Sequence, residues 1–455
     1  MAELETIKEQ SRSLPVVAQS DVVVVGGGPA GLGAAVSAAR NGASVTLLER
    51  YPHLGGMASG GMVLVLDDMI NGNEITVTGI MSEFVERMEA LGLAVYPPEE
   101  DRRIDWDVYR KWARWGFFDF HVPKKPEPIV YAVSFDPDGW KRVSLALIEE
   151  TKVNLRLHSW FSEPIMDGDK IRGVICETKR GRQAILGDVV IDATGDLDVA
   201  AKAGAPFTTG SFIVTTVFRL GGVDTDRADA FEWEEPERFK EIDRATKRLI
   251  GGSWERWWLK TPLPGIVWCN CPHMTGFDGI SVEDLTAAEF EGRRRIEKVS
   301  AFVKESLPGF EKSYLLDTGE QIGVRQTRML EGEYVVTKRD VMERLHFPDT
   351  VCRGRDYYTP YRALLPKGVE NLLVAGRHYS ATSDAQKMSR EIPPCMLQGE
   401  ATGVAATLAL QQGTAVRAVD PVAIQKRMRA QGADPGDRPS ANASFAADAV
   451  PAVAE

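Results

Sequence analysis

An α/β fold with a parallel sheet is what this sequence predicts, and three observations predict it. Asp21-Val-Val-Val-Val25 is an apolar run of strand length, too short for a helix. A glycine turn, Gly26-Gly-Gly-Pro-Ala-Gly31, follows it, and the Ala-rich stretch 29–40 reads as a helix with Pro29 in its first turn, where a missing N–H does no harm. A second β-type run at 44–49 (SVTLLE) closes the unit. Strand, turn, helix and strand in that order require a parallel pair.

The same patterns divide the remaining chain. Residues 1–20 are expected to be a flexible arm. Regularity is lost over 60–130, taken as an inserted cap element with a helix near 79–91 and a Trp-, Arg- and Phe-rich stretch at 105–120. A helix is expected at 140–152 and strands at 153–158, 171–177, 183–186 and 189–192, with hairpin-turn chemistry at Asp167-Gly-Asp-Lys170. Residues 205–315 are polar, helical and Trp-containing without a βαβ pattern, as an inserted substrate or cap domain would be. The run 371–375 (NLLVA) reads as a buried strand ending at Gly376, and 395–411 as an Ala-rich helix preceded by Pro393-Pro394. The nucleotide-binding part is thus expected from 21–204 and 316–413. Residues 414–455 are expected to be an extension, disordered after about 432 because little there can be buried.

Composition excludes several classes. The chain has 455 residues, with 54 Lys and Arg against 65 Asp and Glu, a formal net charge of −11. That balance disfavours nucleic acid, which needs a basic surface. No run approaches the roughly 18 apolar residues of a membrane span, and the first twenty residues lack the apolar core of a secretory signal. Five scattered cysteines point to reduced thiols and a cytoplasmic location, not a disulfide framework.

The first glycine turn contains G-x-G-x-x-G, with a strand leading in and a helix leading out. Its glycines allow close backbone approach to a pyrophosphate, and the helix N-terminus supplies N–H donors. Glu49, at the end of the next strand, suits an adenosine ribose and repels a 2′-phosphate. Further glycine-rich strand ends, at Gly55-Gly56-Met57, Ile191-Asp-Ala-Thr-Gly-Asp196 and Val374-Ala-Gly-Arg377, suit a long cofactor touched from many loops, and therefore FAD over NAD.

Four segments carry a family resemblance. They are DVVVVGGGPAGLGAAVSAARNGASVTLLERYPHLGGMAS, VVIDATGDLDVA, GVRQTRMLEGEYVVTKRDV, and YRALLPKGVENLLVAGRHYSATSDAQKMSREIPPCMLQGEATGVAATLAL. Together they resemble the FAD-dependent oxidoreductases of the glutathione-reductase-like superfamily, in the subgroup related to heterodisulfide-reductase flavin subunits. The resemblance implies a Rossmann-like FAD-binding domain built from discontinuous segments, an inserted α+β substrate or cap domain, and non-covalent FAD. It implies that Gly26, Gly28 and Gly31, with Pro29 and Ala30, meet the pyrophosphate, while Glu49 and Arg50 lie at the adenosine ribose. Gly55, Gly56 and Met57 then run along the ribityl chain and flavin, and Phe161 presents backbone to the adenine. Gly195 and Asp196 close on the ribose-pyrophosphate side, and Gly376 and Arg377 form a late pyrophosphate-contacting strand end. A helix starting near Cys395 aims its amides, including those of Met396 and Leu397, at the flavin O2, where negative charge develops on reduction. The chain departs from the family at Pro394, where Thr is expected. It also has no C-x-x-C cluster for an Fe–S centre, no C-x-x-x-x-C after the first glycine turn, and no second G-x-G-x-x-G.

Candidate chemistry groups remain. His378, next to Gly376-Arg377, is suited to moving the proton that accompanies hydride transfer, or is structural. Arg325, Arg328 and Arg390 either bind a substrate carboxylate, stabilise an enolate, or form salt bridges within the fold. Cys395, at a helix start, is expected to have a lowered thiol pKa. Cys269-Asn-Cys271 with His273 offers three ligands at cramped spacing, so no metal is expected. His53 is read as a loop histidine, with covalent flavin attachment as the alternative. The tryptophans at 106–115 and 233–268 line a pocket for an aromatic or terpenoid-like substrate, or pack the cap or a dimer interface.

The expected function is hydride transfer between a small, aromatic or hydrophobic organic substrate and flavin N5. A flavin monooxygenase using NAD(P)H and O2 needs the same cradle, and a non-catalytic electron-transfer subunit is a third reading. The expected partner is the small-molecule substrate, with no nucleic acid or membrane, a homodimer as the assembly, and an unknown electron acceptor.

Overall fold

Val22, Val23, Val24 and Val25 are buried on both faces of their strand, as the centre of a covered parallel sheet requires. The computed structural model describes residues 6–71, 74–118, 124–130, 133–441 and 443–445, and in it this strand, β1, spans Val16–Val25. Val16 already pairs with Ala184, so the expected arm ends before residue 16. The local sequence does not announce that partner. Next come α1 (Pro29–Arg40), β2 (Val45–Leu48), α2 (Ile80–Ala90), α3 (Pro137–Thr151), β3 (Asn154–Arg156), β4 (Trp160–Asp167), β5 (Lys170–Thr178) and β6 (Gly181–Asp192). Residues 183–186 and 189–192, expected as two strands, are one continuous strand, β6. The β4–β5 hairpin turns at Gly168, whose φ is +63°.

The main sheet runs β3-β2-β1-β6-β5-β4. Its first four strands are parallel, and β5 and β4 return antiparallel. Helix α2, expected within the inserted element, packs instead on α3 and the C-terminal helix of the nucleotide-binding part. It buries Ile80, Met81, Phe84, Val85 and Met88 there.

The cap mixes strands and helices. It holds β7 (Val214–Thr215), β8 (Phe218–Gly221), α4 (Thr225–Glu234), α5 (Pro236–Ile250), β9 (Trp258–Lys260), β10 (Val267–Cys269), β11 (His273–Met274) and α6 (Val282–Ser306). It also takes β12 (Tyr314–Thr318) and β13 (Gly323–Val324), past the expected boundary at 315, because their hydrogen-bond partners are β8 and β7. The two cap sheets run β9-β10-β8-β12 and β11-β7-β13. Phe218, Trp257, Trp258, Ile296 and Phe310 fill the cap's own core.

The chain returns to the main sheet with β14 (Leu372–Val374), which pairs in parallel with the end of β6. It closes with α7 (Ile392–Gln412) and α8 (Pro421–Ala430). Helix α7 starts three residues before the expected Cys395, because Pro393 and Pro394 fit the first turn of a helix, whose N–H groups have no intrahelical acceptor. It crosses α1 so closely that a Cβ on Gly399 would stand 1.9 Å from the Ala30 carbonyl oxygen. Disorder after 432 is also corrected for 432–441, where polar contacts do what apolar burial does not. Arg429 pairs with Asp434 and Asp437, Arg353 with Asp434, and His346 Nε2 donates to the Gly436 carbonyl. Residues 446–455 of that expectation, and 1–5 of the arm, lie outside the described residues. No helix among the described residues is long and apolar enough to cross a membrane.

A carboxyl is buried where α7 meets α2. Glu400 is 1% exposed, and its Oε2 accepts the Ile80 N–H at 3.1 Å. Burial pushes its pKa up to about 7, against the opposing pull of the Ile80 N–H and Arg40. The folded-state value exceeds that of the unfolded chain, so the group supports folding when protonated. That support is lost as pH rises through about 7. Glu400→Gln is therefore expected to match the wild type near pH 5 and to exceed it at pH 8 by on the order of 2–3 kcal/mol. Denaturant midpoints at the two pH values read this, and an equal difference at both contradicts it.

Candidate functional site

Strand register assembles the site. Val25 pairs with both Leu48 and Asp192, and Asp192 pairs with Val374. Four parallel strands thus end on one level, and the turns beginning at Gly26, Glu49, Ala193 and Ala375 gather along one edge. Open α/β sheets bind ligands at such an edge. A cavity of about 1030 Å³ runs from it to the cap. Gly26, Gly28, Pro29, Ala30, Glu49, Arg50, Gly56, Met57, Phe161, Gly195, Asp196, Gly376 and Arg377 line it, as do Arg325 and Arg390.

The first turn is shaped by contact and by space. Gly26 has φ +103°, and a Cβ there would stand 2.3 Å from the Ala193 carbonyl oxygen. Gly28 is different. Its φ of −70° and ψ of −174° suit any residue, and a Cβ on it would meet no protein atom within 4 Å. Only the cavity needs that position bare. No side chain caps α1, so its first-turn N–H groups are available to an anion. Gly31 does not line the cavity, because it packs on the Gly26 carbonyl.

Glu49 is held by two backbone donors, the N–H of Gly27 at 2.7 Å and of Tyr51 at 2.8 Å. Beside it the Arg50 guanidinium lies 5.0 Å from the ring centroids of both Tyr51 and Trp160, and 4.0 Å from Asp196. Asp196 Oδ1 accepts from Arg377 Nη2 and from the Thr327 hydroxyl, each at 2.8 Å. Burial pushes this carboxyl up, but Arg377, Arg50 and Thr327 outweigh it and hold the pKa below the ordinary aspartate value. The anion thus fixes Arg377 at the cavity.

Sequence reasoning passed over Asp192. It accepts from the N–H and hydroxyl of Thr194 and from the N–H groups of Val199 and Ala200, all at 2.7–3.0 Å. Burial raises its pKa, and the His378 ring with these donors lowers it below the ordinary value. This carboxylate shapes the Ala193-Thr194-Gly195-Asp196 turn. An acid on the last rung of a central strand, just before a glycine turn, was the available signal.

Several expectations are corrected. His378 does not reach the cavity. Its side chain is fully buried, with Nε2 3.2 Å from the Asp192 carbonyl oxygen and 3.3 Å from Oδ1, so it cannot meet a substrate proton. Met396 and Leu397 are fully buried on α7, and because that helix starts at Ile392 their amides belong to its interior ladder. Ile392 and Cys395 face the cavity instead. Gly55 sits behind the lining, its N–H bound to the Gly27 carbonyl at 2.7 Å. The Cys395 thiol is pushed up to about 12, chiefly by burial, and not lowered. Arg328 lines the cavity and takes the salt-bridging alternative, engaged with Asp198 at 2.8 Å and the Asp196 carbonyl at 2.9 Å.

Other candidates fall as follows. His53 does not line the cavity: its Nε2 meets Glu320 at 2.9 Å, and its ring stacks on that of Tyr51, which does. Trp254 and Trp268 line the cavity, whereas Trp257 and Trp258 pack around Phe310. Cys269 and Cys271 are buried, and burial raises both thiols. Among the described residues no group of three or more His, Cys, Asp or Glu is arranged to hold a metal.

The sequence profile described as FAD dependent oxidoreductase matches residues 21–358 and 353–428. The chain belongs to that family. FAD is its cofactor, and the bare Gly28 position and uncapped α1 fit a dinucleotide. Among solved structures this FAD-dependent oxidoreductase is similar to a geranylgeranyl bacteriochlorophyll reductase-like protein from Thermoplasma acidophilum, at 14% identity and TM-score 0.45, covering 91% of this chain and 83% of that one. It is similar to p-nitrophenol 4-monooxygenase from Pseudomonas putida, at 16% and 0.47, covering 90% and 85%. It is also similar to L-proline dehydrogenase from P. horikoshii, at 14% and 0.43, covering 91% and 99%. No curated protein matches the chain.

Gly28→Val separates packing from ligand binding. The Cβ it adds meets no protein atom within 4 Å, so the FAD-free variant is expected to stay close to the wild-type melting temperature while FAD affinity falls at least about tenfold. Fluorescence titration with FAD reads the affinity, and undiminished affinity in the variant counts against the cradle.

Proposed function

We propose that this oxidoreductase transfers a hydride between a small organic molecule and N5 of a non-covalently held FAD. The observation carrying the reading is the continuity of the cavity, which joins the Gly26 turn to the cap residues Trp254, Trp268 and Leu285. One end offers donors to a dinucleotide, and the other an apolar wall to a second molecule. In this reading the first glycine turn, the N-terminus of α1 and Arg377 hold the pyrophosphate. Glu49 takes the ribose hydroxyls with the lone pairs its two backbone donors leave free. When bound, FAD supplies the two-electron hydride chemistry. Helix α7 turns its positive end toward the cavity at Ile392 and favours negative charge there.

Asp67 takes the proton-handling role that His378 is too deeply buried to fill. It lines the cavity, and burial, then Glu391 and Asp68, hold its carboxyl well above the ordinary aspartate value. A carboxyl whose protonated form is favoured by its surroundings can donate to and accept from a substrate. Asp67→Asn is expected to keep its FAD, lose at least about a hundredfold in the rate of anaerobic flavin reduction, and lose one ionisation from the pH profile of that rate. A profile unchanged in shape removes Asp67 from this role. The four family-like segments support kinship with heterodisulfide-reductase flavin subunits within this reading.

The visible spectrum of the purified protein, before and after acid precipitation, tests the cofactor's attachment. FAD recovered wholly in the supernatant is expected, whereas colour retained in the pellet contradicts non-covalent binding. Anaerobic bleaching by an organic substrate then supports hydride transfer. Rapid O2 consumption with NAD(P)H redirects the assignment to a monooxygenase, and a stoichiometric co-purifying redox partner to an electron-transfer subunit.

A further inference from the structure

One guanidinium in the cavity makes no ion pair within 4 Å among the described residues, although the carboxyls of Glu391 and Asp67 act on it from farther off. Arg325 follows β13 in the small cap sheet β11-β7-β13. Its Nη2 lies 3.1 Å from His273 Nε2 and 3.4 Å from Asn270 Oδ1, and its Cζ 5.9 Å from the Trp254 ring. None of these partners carries negative charge. A guanidinium only donates, so His273 Nε2 is the acceptor and the imidazole is neutral. Burial, with Arg325 and Arg390 beside it, depresses that ring to a pKa of about 3. Burial first, then Arg390, lowers the Arg325 pKa to about 9 against the weaker opposing pull of Glu391 and Asp67, which still leaves it charged at neutral pH.

Arg390 brings a second cation to the same cavity. Its nearest carboxylate oxygen, Glu391 Oε1, is 3.4 Å from Nη2, and its buried Nε has no partner. Trp268, two residues before Asn270 on the same strand run, also lines the cavity, and its indole N–H is buried without an acceptor. Buried charges and donors are costly unless something pairs with them. The pyrophosphate does not meet that need in our reading, since it lies at the main-sheet edge, whereas Arg325 belongs to the cap sheet.

We propose that Arg325 and Arg390 form an anion-binding subsite that receives the carboxylate of the substrate, with Trp254 and Trp268 against its apolar body. The substrate class is a small carboxylic acid carrying an aromatic or aliphatic group. Paired, planar guanidinium donors match a carboxylate's two oxygens. The fate of the bound acid rests on the hydride-transfer reading, but the subsite itself does not.

Matched probes test it. The protein, with its FAD content measured by acid release, is titrated calorimetrically with benzoate and benzamide, and with phenylacetate and phenylacetamide. The carboxylates are expected to bind at least about tenfold more tightly than the amides. Arg325→Gln is expected to abolish that preference, and Arg325→Lys to retain part of it, both with wild-type FAD content. Equal affinity for acid and amide in the wild type, or no binding of either acid, overturns the subsite without reference to any variant. So does a preference that survives both Arg325→Gln and Arg390→Gln. Loss of FAD from Arg325→Gln reassigns the arginine to the cofactor and overturns the proposal too. Wild-type protein that prefers the acids yet holds no FAD leaves the subsite standing and sinks the hydride-transfer reading.

Discussion

The site depends on the common level at which the parallel strands end. Val25, Leu48, Asp192 and Val374 occupy equivalent rungs, so turns separated by more than three hundred residues of sequence open onto one edge. A slip of one residue in any strand would turn its side chains to the opposite face and move its turn off that edge. Burial on both faces enforces the register, since Val22, Val24, Val190, Ile191 and Leu373 have no exposed alternative.

Two close approaches hold this edge together. Gly26 brings its backbone against Ala193, joining the turn after β1 to the turn after β6. Gly399 and Gly403 let α7 lie on the backbone of α1, which carries the N-terminus of α7 to the cavity beside the first glycine turn. The Gly399–Gly403 segment has this packing role. On another side of α7, where it meets α2, the Glu400 carboxyl is buried against the Ile80 N–H.

Electrostatics divides the cavity. On the sheet side, acids and bases are matched: Asp196 holds Arg377, and Asp192 is saturated by hydroxyl and backbone donors. On the cap side they are not, since Arg325 has only neutral partners and Asp67 is driven toward its protonated form. The matched side is finished architecture for a constant ligand. The unmatched side is poised for a second molecule that brings its own charge.

The local pattern determined the α/β class, the first βα unit, the glycine turn with Glu49, and FAD as the cofactor. Each is written in short stretches, several of them spread from Gly55 to Arg377 in the case of FAD, where periodicity and turn chemistry act directly. Long-range packing decided the rest. Whether His378 meets the cavity depends on the rotation of its loop against Asp192, and adjacency to Gly376-Arg377 says nothing about that. Pro393-Pro394 read as a barrier before a helix, yet they form its first turn, and this moved the cavity-facing positions from Met396 and Leu397 to Ile392 and Cys395. Arg325 and Arg328 are three residues apart and alike in sequence. Only the fold distinguishes them, because it carries Asp198 to hydrogen-bond distance of Arg328 and, among the described residues, brings no carboxylate within 4 Å of Arg325.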